Sequence, residues 1–204
     1  MADENIEDDD TELFSDRWPE VGDKAFVSAP PVYGACAAED VRERLWRMVR
    51  GYRHAADLLV RETEREAYLR ANLIYPIVFS YRHSLELALK QLLEEHGEHV
   101  GHKQEFRDHR LERIWPRCRE VIEHFNPRSD PTPLDVIANL VAEFADVDPG
   151  SYSFRYASDT KGKQMDIKIK YIDLTELQKI MASVHNFLEC IDSQISELST
   201  ADFL

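Results

Sequence analysis

The sequence has few of the residues that build the best-known cofactor and disulfide sites. Its 204 residues include seven glycines and three cysteines. The glycines form no glycine-rich phosphate loop, and no G-x-S-x-G nucleophile motif occurs. The cysteines are far apart and form no C-x-x-C pair, which is typical of a reducing compartment. The sequence therefore argues against a disulfide-linked scaffold, and we expect no cofactor.

Long apolar runs are also missing. The longest nearly continuous apolar stretch covers residues 71 to 79, far below the roughly 20 residues that a membrane-spanning helix needs. The N-terminus is acidic, unlike a secretory signal or a transit peptide. We therefore expect a cytoplasmic protein with no membrane segment.

Negative charge is plentiful but unevenly distributed. The formal net charge is −14, which argues against nonspecific binding of nucleic acid by the chain as a whole. Residues 1 to 23 contain ten acidic side chains and one basic one, so a local basic patch can still exist in the remainder. Acid and proline in residues 1 to 36 predict a disordered tail. This tail either is simply solvated, or docks on a partner protein, or mimics nucleic acid and covers a basic site.

The spacing of apolar residues predicts a mainly α-helical domain over residues 37 to 200. Apolar stripes at three- and four-residue spacing predict five helices, over residues 38 to 64, 66 to 95, 108 to 125, 133 to 145 and 173 to 198. Pro76 predicts a kink or a break in the second helix. Residues 152 to 156 and 167 to 171 alternate between apolar and polar, which predicts a β-hairpin. The predicted fold is an up-and-down helical bundle with a small β-hairpin insert before the last helix.

Arg82 and Glu86 are charged residues at the margin of the densest apolar stripe. They are four residues apart and can form an ion pair across one helical turn, with Lys90 one turn further on. Charge beside a buried face is costly unless it is paired. Two interpretations follow: a structural ion pair, or a polar pocket in which Arg82 binds a phosphate or carboxylate.

Two further residues are candidates for chemistry. His109 falls in the first turn of the predicted third helix, where a neutral imidazole is favoured and can act as a general base. The alternative is a surface or capping histidine. Arg155 points away from the aromatic face of its predicted strand, and it lies either in solvent or over a cleft together with Asp148.

Three histidines at three-residue intervals resemble a metal-binding box. His96, His99 and His102 follow the predicted end of the second helix, near acidic residues. Their spacing matches no zinc-type pattern. We therefore expect no metal site.

Three segments of the chain resemble bacterial helical proteins related to the HEPN superfamily. They are residues 81 to 90 (YRHSLELALK), 109 to 115 (HRLERIW) and 148 to 156 (DPGSYSFRY). The resemblance extends over about residues 40 to 195. It implies a helical bundle, usually a homodimer, that acts on RNA or nucleotides, in some members within stress or defence systems. Many such proteins are metal-independent endoribonucleases, and others are non-catalytic scaffolds.

The resemblance also implies site residues. Catalytic HEPN proteins carry an arginine and, after four to six intervening residues, a histidine. Arg119 and His124 have this spacing, as do two further arginine–histidine pairs. The residues that match the bacterial subgroup are instead a shared polar set: Arg82, Glu86, Lys90, His109 and Arg155. The functional alternatives are an RNA- or nucleotide-directed protein and a non-catalytic interaction module whose acidic tail docks or inhibits.

Overall fold

A computed structural model describes residues 18–26, 43–102, 107–127 and 130–201. The chain divides into two units, residues 1–39 and 40–204. In the first unit, residues 18–26 include one turn, closed by a hydrogen bond from the Asp23 amide to the Glu20 carbonyl at 3.1 Å. The rest of the predicted acidic tail lies outside the described residues.

The second unit is a helical bundle, as the apolar periodicity predicts. Its α-helices are α1 (Arg44–Arg65), α2 (Arg70–His96), α3 (Leu111–Phe125), α4 (Thr132–Val147) and α5 (Leu174–Ala201). Short 3-10 helices, Ala67–Leu69 and Gly97–Val100, precede and follow α2. Among the described residues, no helix is both long and apolar enough to cross a bilayer.

Helix α2 forms the centre of the bundle. It packs against α1, α3 and α5, and α3 packs in turn against α4. Ile77, Tyr81, Leu85 and Leu89 are fully buried on its inner face. Burial of each such side chain contributes about 1.5–3 kcal/mol, so α2 anchors the domain. It continues through Pro76 as one helix, although the proline predicts a kink or a break.

The helix ends follow local chemistry. Asp173 precedes α5, and its Oδ1 accepts a hydrogen bond from the Glu176 amide at 3.0 Å, which caps the N-terminus of the helix. Helix α2 ends at His96, and the 3-10 helix Gly97–Val100 follows it directly. Asp108 accepts a hydrogen bond from the Arg110 amide at 3.1 Å, and α3 begins one residue later.

The predicted β-hairpin is not seen in the described residues between α4 and α5. Its segments form no strand, and the only β-bridge there joins Ser158 to Gln164. No strand forms at the first predicted position because its backbone amides make other hydrogen bonds. The Asp148 carboxylate accepts hydrogen bonds from the amides of Tyr152 and Ser153 at 2.8 and 2.9 Å. The Tyr152 carbonyl accepts a hydrogen bond from the Tyr156 amide at 2.9 Å, so the first predicted strand forms a turn instead.

Candidate functional site

A buried ion network links α2 to the segments that precede α3 and follow α4. Arg82 is 0% exposed and Glu86 is 1% exposed. Arg82 Nη1 donates to Glu86 Oε2 at 3.1 Å, and Arg82 Nη2 donates to the His109 carbonyl at 2.8 Å. Arg82 Nε donates to the Asp148 carbonyl at 3.3 Å. All three nitrogens of the guanidinium are engaged inside the protein, so Arg82 holds the segments together and has no surface at which to bind a ligand.

Glu86 joins this network to the surface through its second oxygen. Glu86 Oε1 lies 2.8 Å from both Lys90 Nζ and His109 Nδ1. Burial alone would raise the pKa of the Glu86 carboxyl, but the hydrogen bonds from Lys90 and His109 hold that pKa below its ordinary value. Glu86 is therefore an ionised acceptor, and His109 Nδ1 carries the hydrogen that it accepts.

His109 is the accessible member of the network. Its side chain is 53% exposed, whereas its partner Glu86 is buried. Among the described residues no hydrogen bond is made by its other ring nitrogen, Nε2. The arrangement fixes the imidazole by one nitrogen and leaves the second available as a hydrogen-bond acceptor. The sequence places His109 in the first turn of a helix; the structure places it two residues before α3.

Asp148 connects the network to the loop that follows α4. It is 1% exposed, and its Oδ1 binds the two amides described above. Its Oδ2 lies 3.7 Å from Arg82 Nε and has no hydrogen-bond partner among the described residues. Asp148 therefore faces Arg82 as an ion pair while shaping the turn that carries Arg155.

Arg155 lies beside the network without touching it in the described residues. Its guanidinium carbon is 5.3 Å from the ring centre of Phe79 and 5.4 Å from those of Tyr152 and Tyr156. Its Nε donates to the Ser151 carbonyl. The side chain is exposed, and the aromatic rings hold it by cation–π contacts.

His83 lies on α2 beside Phe79, whose ring also contacts the Arg155 guanidinium. Its ring stacks on Phe79, with 5.4 Å between ring centres, and meets Tyr52 edge-on at 4.5 Å. Burial lowers the pKa of His83; the Glu86 charge opposes that shift and the Arg155 charge adds to it. His83 is therefore within electrostatic reach of both charges. His83 is not among the site residues predicted from the sequence, although its position three residues before Glu86 places the two on neighbouring parts of α2.

The HEPN-type pair is placed differently. Arg119 binds Glu123 and Asp135, each at 2.7 Å, on the outside of α3. His124 is exposed and meets the ring of Phe125 edge-on at 5.1 Å. Five residues along a helix amount to about 140° of rotation, so Arg119 and His124 point to different sides. The structure thus brings together Arg82, Glu86 and His109, sets Arg155 beside them, and does not join Arg119 to His124.

The three regularly spaced histidines also separate. His96 Nε2 lies 2.9 Å from Asp192 Oδ1, and His102 Nε2 lies 2.7 Å from Glu120 Oε2. His99 instead packs edge-on against Phe125, with ring centres 5.0 Å apart. The three therefore do not share one ligand site.

A second buried histidine lies in the core. His185 Nε2 is 2.9 Å from the Ser84 hydroxyl, which also donates to the Tyr81 carbonyl at 2.8 Å. The hydroxyl hydrogen is used by Tyr81, so His185 Nε2 carries a hydrogen that Ser84 accepts. Burial lowers the pKa of His185 to about 4, with a further lowering by Arg53 and an opposing effect of Asp57.

Acid is expected to destabilise the domain through His185. Its pKa falls from the ordinary 6.5 to about 4 on folding, so the unfolded chain binds the proton more readily. The stability linked to the neutral ring is complete above pH 6.5 and is lost as pH falls toward 4. Urea titrations at pH 7 and pH 5 should differ by about 2 kcal/mol from this group alone. A His185→Leu variant should lose this part of the pH dependence, and an unchanged pH dependence would contradict the assignment.

Comparisons with known proteins give no family. No family model, curated protein or solved structure matches the chain. Function is therefore inferred from the residues of the site.

Proposed function

We propose that this domain acts on single-stranded RNA at the site formed by Glu86, His109 and Arg155, as a metal-independent endoribonuclease. The observation that carries the proposal is the 2.8 Å hydrogen bond between buried Glu86 and the half-exposed His109 ring. A buried carboxylate that binds one nitrogen of an accessible histidine prepares the other nitrogen for proton transfer. The resemblance to HEPN proteins and the expected homodimer remain predictions.

His109 would serve as the general base. Glu86 accepts the Nδ1 hydrogen, which leaves the lone pair of Nε2 free to take a proton. Arg82 and Lys90 bind Glu86 from the interior, at 3.1 and 2.8 Å, and keep it ionised and in place. These three residues are positioning residues, because none of them reaches the surface as His109 does.

Arg155 would bind the phosphate. An exposed guanidinium offers planar donors to phosphate oxygens. Tyr152 and Tyr156 are about half exposed beside it. Exposed aromatic rings next to a cation are the features on which single-stranded nucleic acids stack. Residues 1 to 23 account for −9 of the net charge of −14, so the remainder of the chain, at −5, is only mildly acidic.

The proposed reaction is an internal transesterification. His109 Nε2 removes the proton of a ribose 2′-hydroxyl, and the 2′-oxygen attacks the adjacent phosphorus. The bond from phosphorus to the 5′-oxygen breaks, and that oxygen takes a proton from solvent. The products are a 2′,3′-cyclic phosphate and a 5′-hydroxyl end, with no oxidation or reduction. Positively charged Arg155 offsets the charge that develops on the phosphate.

RNA cleavage in EDTA tests this proposal. The full chain is incubated with a labelled single-stranded RNA and with the same sequence carrying 2′-deoxyribose throughout. We expect the RNA to be cleaved and the 2′-deoxyribose substrate to remain intact. The RNA fragments should end in a 2′,3′-cyclic phosphate. A chain without residues 1 to 36 should cleave faster if the acidic segment covers a basic site. Cleavage of both substrates, or of neither by folded protein, would contradict the proposal.

The second candidate is a non-catalytic protein-interaction module with an acidic docking or inhibitory segment. One observation favours it: the Arg82 and Glu86 side chains are fully buried, with their polar atoms bound within the protein, as in a structural ion network. In that case His109 is a surface histidine that closes the network. Absence of RNA binding and of cleavage, together with a partner protein that binds through residues 1 to 36, would support this candidate.

A further inference from the structure

The C-terminal end of α2 meets α5 at a cluster of three metal-ligating side chains. Glu95 and His96 come from α2, and Asp192 comes from α5. Each offers one ligand atom, and these atoms all lie within 4.8 Å of one another. His96 Nε2 and Asp192 Oδ1 are 2.9 Å apart. Sequence spacing does not reveal this cluster, because Asp192 is 96 residues from His96 along the chain.

The cluster combines a buried nitrogen with accessible oxygens. His96 is 5% exposed, whereas Glu95 is exposed and the Asp192 side chain is 30% exposed. Its buried side is closed by the protein, and its carboxylates face outward, where an ion and water can enter. Asp192 also borders a cavity of about 240 Å³ between α1, α2 and α5.

The two carboxylates have no lysine or arginine partner in the described part of the chain. The basic side chain beside them is His96, whose Nε2 lies 2.9 Å from Asp192 Oδ1. A divalent cation would supply the missing positive charge to both carboxylates at once. In the proposed RNA site, by contrast, Glu86 forms ion pairs with both Arg82 and Lys90.

We propose that Glu95, His96 and Asp192 bind a divalent transition metal ion of the Zn²⁺ or Mn²⁺ type. One imidazole nitrogen with two carboxylate oxygens suits these ions, and Ca²⁺ or Mg²⁺ would prefer oxygen ligands alone. Three protein ligands leave coordination positions for water. This site differs from a site built on the three regularly spaced histidines, because only His96 of the three is a ligand.

The surrounding geometry supports binding with small side-chain movements. Ligand atoms at about 2.0–2.2 Å from one ion lie about 3–3.5 Å from each other. The ligand atoms of the cluster all lie within 4.8 Å of one another, so small movements of the side chains suffice. Gln91 lies one turn before Glu95, and its Nε2 donates to Glu95 Oε1 at 3.0 Å. A hydrogen bond to a ligating carboxylate orients it and leaves its other oxygen for the metal.

The metal would join α2 to α5 and is separate from the proposed reaction. His96 lies ten residues beyond Glu86, or about 15 Å along the helix. EDTA can therefore remove the ion without touching His109. The proposed metal site and the proposed RNA site can be refuted independently, because the first is tested by ion binding and the second by RNA cleavage in EDTA.

Ion binding is measured on the full chain after dialysis against EDTA and removal of the chelator. Zn²⁺ is titrated by calorimetry, and Mn²⁺ is followed by loss of the free-ion signal in electron paramagnetic resonance. We expect one ion per chain. Asp192→Asn and Glu95→Gln should each weaken binding by about 100-fold or more, since loss of a supporting partner alone costs 10–100-fold.

His102→Gln is the matched control. His102 also binds a carboxylate, Glu120, at 2.7 Å, but it belongs to no three-ligand group in the described residues. This variant should bind the ion as the natural chain does. Glu95 is exposed, so Glu95→Gln tests the site even where a change at buried His96 impairs folding. No one-to-one binding, or equal loss in His102→Gln and Asp192→Asn, would overturn the proposal.

Discussion

Replacing Glu86 with alanine is expected to lower the free energy of unfolding by about 3–5 kcal/mol. The substitution removes the nearer of the two carboxylates that face Arg82, which is 0% exposed, and leaves only Asp148 Oδ2, 3.7 Å from Arg82 Nε. It also removes a carboxylate that accepts a hydrogen bond from Lys90, whose ammonium is buried as well. Uncompensated buried charge is one of the most costly defects a single substitution can create. Removal of the anion therefore acts on two cations at once.

Thermal unfolding measures this effect. For a domain of about 150–250 residues, each 1 kcal/mol shifts the Tm by roughly 2–4 °C, so a fall of at least about 6 °C is expected. Glu123→Ala is the matched control, because Arg119 and Glu123 have the same four-residue spacing on an exposed helix surface. Its Tm should stay close to that of the natural chain. Equal shifts in the two variants would show that Glu86 is not buried among charges as described.

The helices could be predicted because their cause is local. Apolar residues at helical spacing select the buried face, and Asp173 begins α5 through a bond to an amide three residues away. The predicted hairpin depended on alternation alone. Alternation does not reveal that the Asp148 carboxylate takes the amides of Tyr152 and Ser153. A side chain that binds the backbone can replace strand pairing, and only the fold shows which one does.

The site could be predicted only in part for the same reason. The pairing of Arg82 with Glu86 follows from their spacing within one helix. The bond from Arg82 to the His109 carbonyl joins residues 27 apart, and the bond to the Asp148 carbonyl joins residues 66 apart. Such bonds depend on how α2 packs against the segments beside α3 and α4. Sequence spacing could therefore nominate His109 but could not show that Glu86 holds its ring.

The largest expected effect on activity belongs to His109. Glutamine at this position keeps a polar side chain but cannot take a proton from a ribose hydroxyl. Loss of a general base lowers rates by about 10²- to 10⁴-fold. Because His109 is half exposed and outside α3, His109→Gln should fold normally. The variant therefore separates catalysis from stability, which Glu86→Ala does not.

The most direct measurement compares RNA cleavage in EDTA by the natural chain, His109→Gln and His124→Gln. His124 is the matched control, an exposed histidine on α3 that belongs to the HEPN-type pair with Arg119. We predict loss of cleavage in His109→Gln and natural rates in His124→Gln. Cleavage at the natural rate by His109→Gln, or loss only in His124→Gln, would contradict the assignment of His109 as the base that Glu86 holds.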